Sequence, residues 1–222
     1  MTCPCCLTTI ADGESACGAC GFSLARIDAD FGDDELSLEV VTDAADCLRA
    51  GERAELLREV AEFQAQFPQL FFAVYFGALP AMASVRQFGF WLLNRASLSG
   101  ERAGVEMQDG ALLVVDVGSM QACLTVSYLL DAVVSESDLE SVLKEGYPSF
   151  VDGDIRSGVS EIIAAFSRLL RRRGKAVPAP WGVGESPEGN PAQGARALPP
   201  EEWRADPGGG TPLPALTPQT PY

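Results

Sequence analysis

Five of the seven cysteines lie in the first twenty residues, and four of them carry the spacing of metal ligands. Cys3-x2-Cys6 is followed ten residues later by Cys17-x2-Cys20. Two short Cys-x-x-Cys turns of this kind place four thiolates around one tetrahedral ion. Pro4 stiffens the first turn, and Gly18 and Gly21 let the second fold back so that backbone N–H groups face the sulfurs. The reading is a structural zinc ribbon, with Zn²⁺ held by Cys3, Cys6, Cys17 and Cys20. Four thiolates close the coordination shell and leave no position for a substrate. Spacing alone leaves a disulfide staple and an iron–sulfur site open. Cys5 also competes with Cys3 or Cys6, although two adjacent cysteines fit a chelating turn less well. An odd cysteine count and an N-terminus without a signal-peptide pattern weigh against the staple. Cys47 and Cys123 sit alone in apolar stretches and read as small buried hydrophobes.

The second set of candidates is made of oxygen. Asp109 precedes an apolar run, Asp116 ends it, and Asp131 and Asp138 flank the loop after the run that returns beside it. Oxygen-only clusters suit Ca²⁺ or Mg²⁺, and such an ion at Asp109, Asp116 and Asp131 would offset charge in phosphate-ester hydrolysis. The simpler reading makes these loop and capping aspartates of an acidic protein. The chain has no histidine, which removes Ser-His-Asp and Cys-His catalysis and any histidine-ligated catalytic zinc. Cys47 and Arg53 have the Cys-x5-Arg spacing of cysteine phosphatases. Glu52 would place a negative charge in that anion cradle, and the segment reads instead as a helix entry. Lys144 follows Glu140 by four residues and reads as a surface pair.

These groups need elements to position them. The 222 residues suffice for one domain with appendages, and 47% hydrophobic residues can build a core. The net charge of −15 repels phosphate backbones, so no nucleic-acid partner is expected. The most apolar stretch, Leu70 to Leu93, is interrupted by Pro80, Arg86 and Gln87, so no membrane insertion is expected. A reducing, cytoplasmic setting follows from these readings.

Residues 1–24 form the ribbon, and residues 25–38 read as an acidic linker. Residues 39–174 alternate helical and strand patterns. A helix is expected from about Ala50 to Phe67, with Leu56, Leu57, Val60, Phe63 and Phe67 at helical spacing and Pro68 ending it. The run Leu70 to Phe76 reads as a strand covered on both faces. Ser84 caps a helix bearing Val85, Phe88, Trp91 and Leu92, and residues 97–108 form a polar loop. Ala111 to Val117 and Gln121 to Tyr128 read as strands joined by a Gly118-Ser119 hairpin turn. Ser135 with Asp138 makes an acidic capping box for the next helix. Asp152-Gly153-Asp154 reads as a turn and N-cap before a last helix, Asp154 to Arg173, whose arginines suit its C-terminus. The fold class is therefore α/β: a three-layer α/β/α sandwich, its sheet made mixed by the hairpin. Residues 175–222 hold eleven of the 15 prolines and few large aliphatics. They read as a disordered tail.

The order of five segments resembles the TPM domain family. The segments are Val41-Thr42-Asp43-Ala44-Ala45-Asp46-Cys47-Leu48, Phe76-Gly77-Ala78-Leu79-Pro80, Phe90-Trp91-Leu92-Leu93-Asn94, Asp109-Gly110-Ala111-Leu112-Leu113, and Gly146 to Asp154 followed by Gly158. The resemblance covers about residues 39–173, and bacterial members with an N-terminal zinc ribbon are similar throughout. It implies an α/β/α sandwich, divalent-cation binding in some members, and an acid phosphatase activity assigned to plant members. The family's glycine-rich turn after the central hairpin corresponds to Val126-Ser127-Tyr128-Leu129-Leu130-Asp131, where both glycines are missing. Close backbone approach to a ligand needs those glycines. The leading functional expectation is therefore a non-enzymatic interaction module, responsive to divalent cations, with protein partners reached through ribbon and tail. The alternative is a weak metal-dependent acid phosphatase using the loop aspartates. A third expectation, a ribbon that releases zinc on oxidation, comes from the spare thiol of Cys5.

Overall fold

The computed structural model describes residues 2–11, 13–32, 36–80, 83–99 and 110–174. The expected tail at 175–222, most of the expected polar loop and Asp109 lie outside the described residues.

Two strands whose side chains, Tyr75 and Asp116 apart, are apolar set the centre. β3 (Phe71–Gly77) and β5 (Gly110–Asp116) pair in parallel, Phe71 opposite Gly110 and Gly77 opposite Asp116. β2 (Val41–Asp43) adds to β3 in parallel, and β6 (Gln121–Val126) returns antiparallel on β5. The sheet order is β2-β3-β5-β6, and the sheet is mixed as the hairpin at Gly118 requires. All seven β5 residues are buried, the pattern of a strand covered on both faces.

Alternate residues divide the core in two. Phe72, Val74, Phe76, Ala111, Leu113 and Val115 face Leu56, Val60 and Phe63 of α2 (Ala50–Gln66) and Val159, Ile162 and Phe166 of α6 (Ile155–Gly174). On the opposite face Phe71, Ala73, Leu112 and Val114 meet Val85, Phe88, Trp91 and Leu92 of α3 (Val85–Arg95). Both crossovers, β2–α2–β3 and β3–α3–β5, step the same way across the sheet, yet their helices lie on opposite faces. The two crossovers therefore have opposite hands, where the usual right-handed rule would stack both helices on one side.

The first face is completed by α5 (Glu136–Val151), which runs back along α6. Ser135 and Asp138 form the expected capping box: the Ser135 N–H donates to Asp138 Oδ2 at 3.0 Å, and the Asp138 N–H to Ser135 Oγ at 3.2 Å. The helix continues through Pro148, and the turn at Gly153 (φ 79°) leads to Asp154, whose Oδ1 accepts the Ser157 N–H at 3.0 Å. The hairpin closes tightly at Gly146, where a Cβ would lie 2.4 Å from the Gly158 carbonyl oxygen. Only glycine permits that approach.

The second face corrects the expectation of a tether. The acidic stretch 25–38 is not a linker. It opens with α1 (Leu24–Phe31), capped by Ser23, whose hydroxyl accepts the Arg26 N–H at 3.3 Å. Leu24, Ile27 and Phe31 recur at helical spacing and turn onto α3, with Ile27 fully buried. β1 (Leu36–Leu38) then pairs in parallel with β4 (Ala96–Leu98) as a separate two-stranded sheet. β6 ends at Val126, two residues before the expected Tyr128, and Ser127 starts the short α4 (Tyr128–Asp131). No helix among the described residues is long and apolar enough to cross a membrane.

Candidate metal centre and the loops of the sheet

The ribbon is built from two similar knuckles. In the first, the Leu7 N–H donates to the Cys3 carbonyl at 3.0 Å and the Cys3 N–H to the Thr8 carbonyl at 2.9 Å. In the second, Gly21 bonds Cys17 at 2.8 Å and Cys17 bonds Phe22 at 2.8 Å in the same sense. Each turn places the residue after its second cysteine in the left-handed region, Leu7 at φ 64° and Gly21 at φ 69°. Gly21 meets this without strain, as its sequence position suggested. Leu7 pays the Cβ penalty of about 1–2 kcal/mol.

These turns converge four sulfurs. The Sγ atoms of Cys3, Cys6, Cys17 and Cys20 all lie within 4.8 Å of one another. Cys3 and Cys20 are 3.7 Å apart, Cys6 and Cys17 3.6 Å. A disulfide would bring sulfurs to about 2.0 Å, and all seven cysteines are free thiols. Sulfurs at about 2.3 Å from a tetrahedral ion stand about 3.8 Å apart, so the four residues fit one ion. The Cys5 N–H donates to Cys3 Sγ at 3.4 Å, while its own thiol is exposed and outside the group. The Thr8 hydroxyl and N–H bring the Cys6 thiol down to about 6. The Phe22 N–H favours the Cys20 thiolate, but burial and the neighbouring sulfurs push that thiol up to about 12. Gathering the sulfurs thus opposes ionising all four together, and a bound cation would relieve that opposition. Cys3 and Cys17 are buried against the α3 side of the core.

The aspartates behave differently. Asp116 is buried, and its Oδ1 accepts the Leu79 N–H at 3.0 Å and the Gly118 N–H at 3.1 Å, while Oδ2 accepts the Ser119 hydroxyl. Burial alone would raise this carboxyl, but the Ser119, Leu79 and Gly118 donors outweigh it and hold it below the ordinary range. Asp131 is exposed at the end of α4. Asp116 opposes Gln121 at one end of the β5–β6 ladder, whereas Asp131 follows Val126, which pairs with Ala111 at the other end. Roughly 17 Å of strand separates those ends, so the two do not share an ion. Asp138 stays in its capping box and pairs with Arg173. Among the described residues, the four cysteines are the one group of three or more Cys, Asp or Glu side chains placed to hold a metal.

The loop after β2 follows the same economy. Asp43 accepts the N–H groups of Cys47 at 3.1 Å and Leu48 at 2.9 Å. Burial would raise it, but the Leu48 and Cys47 donors keep it low. Cys47 is in turn pushed up to about 12 by burial and by Asp43. A thiol so protonated is a poor nucleophile. Arg53 pairs with Glu39 and donates to the Val41 carbonyl at 3.0 Å. The Cys47–Arg53 spacing is therefore a helix entry. A cleft of about 400 Å³ opens beside it, where the first turns of α2 and α6 meet. Its wall carries Glu52, Asp152 and Asp154 as well as Arg49 and Arg156, and Arg156 is held by Glu55 at 2.9 Å and Glu59 at 2.7 Å.

Sequence reasoning missed Asp43 and Asp28 as organising carboxylates. Asp28 on α1 accepts the Trp91 indole N–H at 3.2 Å and the Arg95 Nε–H at 2.9 Å. No local pattern pairs residues more than sixty positions apart, although the Leu24, Ile27, Phe31 spacing was readable.

No curated protein matches the chain. Structures solved by NMR that resemble it include the following three. The N-terminal domain of a P. gingivalis protein is 18% identical, with 60% of this chain and 82% of that one covered and a TM-score of 0.47. The N-terminal domain of a Corynebacterium glutamicum protein is 9% identical, covering 59% and 78%, with a TM-score of 0.46. The BA42 protein of Bizionia argentinensis is 15% identical, covering 59% and 86%, with a TM-score of 0.46. The sequence profile of the TPM domain matches residues 41–169. That span exceeds half of the chain and contains every strand of the four-stranded sheet, and the chain belongs to the TPM domain family.

Proposed function

We propose that this protein is a non-enzymatic interaction module, in which a zinc-loaded ribbon is built onto a TPM domain and protein partners are bound through the ribbon, the tail and the outer surface of the domain. The observation that carries this reading is the use made of the carboxylates at the C-terminal edge of the parallel strands. Ligands of open α/β sheets bind at that edge. Here Asp43 is satisfied by N–H donors of its own loop, and Asp116 by N–H and O–H donors of its own loop and of the loop after β3. A carboxylate so engaged is a structural clamp and not a free ligand. Zinc is the ion that the tetrahedral four-thiolate set favours, and its closed shell supplies no chemistry to a substrate. A binding role is supported by Tyr147 and Val151, which stand one turn apart on α5, each 65% exposed. A cation response would act through Asp131, at the other end of the sheet, with Asp109, which precedes β5 in the sequence.

The test is turnover of an aryl phosphate from pH 5 to 8, with Ca²⁺ or Mg²⁺ and with chelator, beside a folded Asp109→Ala, Asp131→Ala variant. The expected result is no turnover above the variant. Cation-dependent turnover that disappears in the variant would establish the phosphatase alternative.

A further inference from the structure

We propose that the four-cysteine centre is the latch of a removable cover: loss of the metal releases residues 2–32 from α3 and uncovers an aromatic surface, while the three-helix side of the sheet stays folded. This inference rests on the metal centre and the packing around it, independently of the interaction reading.

Residues 2–32 have no core of their own. Their buried apolar side chains, Ile10, Phe22 and Ile27, all belong to the cluster centred on α3. α1 has eight residues, too few for a helix to persist alone in water. Segments this small ordinarily need a metal or a disulfide to hold a fold, and the free thiols leave the metal. With the sulfurs gathered, the knuckles fix Phe22 against Phe90, ring centroids 5.5 Å apart and edge to face. Phe31 is then carried onto Phe88 at 5.2 Å and Trp91 at 5.4 Å. The Trp91 indole N–H reaches the Gly32 carbonyl at 3.0 Å and Asp28, and Arg95 clamps Asp28 from the same helix. These contacts tie cover to α3 but do not tie α3 to the sheet. That attachment is made separately by Leu112 and Val114 beneath. The two sides of the sheet are distinct clusters, so releasing one leaves the contacts of the other in place. β1, paired with β4, remains as the hinge strand.

The experiment uses the full chain with Trp181→Phe and Trp203→Phe, which makes Trp91 the sole tryptophan. Zinc is removed with a chelator, its release is measured, and zinc is then added back. The expected outcome is a reversible red shift of Trp91 emission. Amide exchange across residues 24–31 should quicken about tenfold or more, with α6 protection unchanged. Cys17→Ser should reproduce that state without chelator; should it fail to fold, the chelator arm decides. Two outcomes overturn the proposal. In one, Trp91 emission and exchange at 24–31 do not move although zinc has left. In the other, α6 loses its protection together with α1, which would make the metal a condition of the whole fold.

Discussion

On one face of the sheet, Phe63 stacks on Phe166 at 5.8 Å and leans on Phe72 at 4.9 Å, inside a cluster supplied by three helices of eleven residues or more. On the other, α3 is the one long helix, and the remaining cover is an eight-residue helix and two cysteine knuckles. The first face is held by apolar area, roughly 1.5–3 kcal/mol for each large side chain buried. The second buries fewer such side chains per residue ordered and adds four cysteines gathered where they could hold an ion. The cause is the topology. With α2 and α3 on opposite faces, one face collects α2, α5 and α6, and the other would leave α3 half bare without the N-terminal segment.

Four changes probe this difference. Phe166→Ala should cost about 3–5 kcal/mol, by the same amount with and without chelator, as denaturant unfolding would show. A chelator-dependent loss would mean that the faces are coupled. Phe22→Ala should cost about 2–3 kcal/mol in the metal-loaded protein and close to nothing once the metal is removed. This failure of additivity can be read from paired melts. Leu7→Gly removes the left-handed strain of an exposed side chain and should stabilise the loaded form by about 1 kcal/mol, measured as a raised Tm.

The smallest effect concerns Asp28. The Arg95 guanidinium beside it, with the Trp91 N–H, holds its carboxyl below the usual range despite burial. Its folded pKa therefore lies below its unfolded one. The contribution is complete above the ordinary carboxylate value of about 3.9 and is lost as pH falls through the lowered folded value. Asp28→Asn should thus lower Tm slightly at pH 7 and by progressively less below about pH 4. An equal deficit at every pH would show that the carboxylate charge does not matter to the contact.

The legible parts of the molecule are those whose signal is local. The cysteine spacing, the unbroken apolar runs of β3 and β5, and the Ser135–Asp138 cap each lie within a few residues. The α1 helix was obscured because Asp28 and Asp30 sit among its apolar positions, and its stability comes from α3, more than fifty residues away. The three-residue strands β1, β2 and β4 are too short for any periodic pattern. Asp116 was legible as a loop carboxylate. Its donors Leu79 and Gly118 come from two loops, so its occupied state was not legible. The sequence likewise grouped Asp116 and Asp131 because each stands at or just beyond the close of one strand of the same hairpin, and the antiparallel ladder puts those two closing ends at opposite ends of the sheet.

The contact between α1 and α3 also carries a consequence in time. Cys20 leaves the ribosome before Arg95 by 75 residues of synthesis, about 4–15 s at ordinary elongation rates. The knuckles can close on their metal as soon as they emerge, whereas the surface that receives them does not yet exist. For that interval Phe22, Ile27 and Phe31 travel on the nascent chain undocked. A ribbon that has already captured its ion arrives at α3 as a rigid piece, with less entropy left to lose than a free coil.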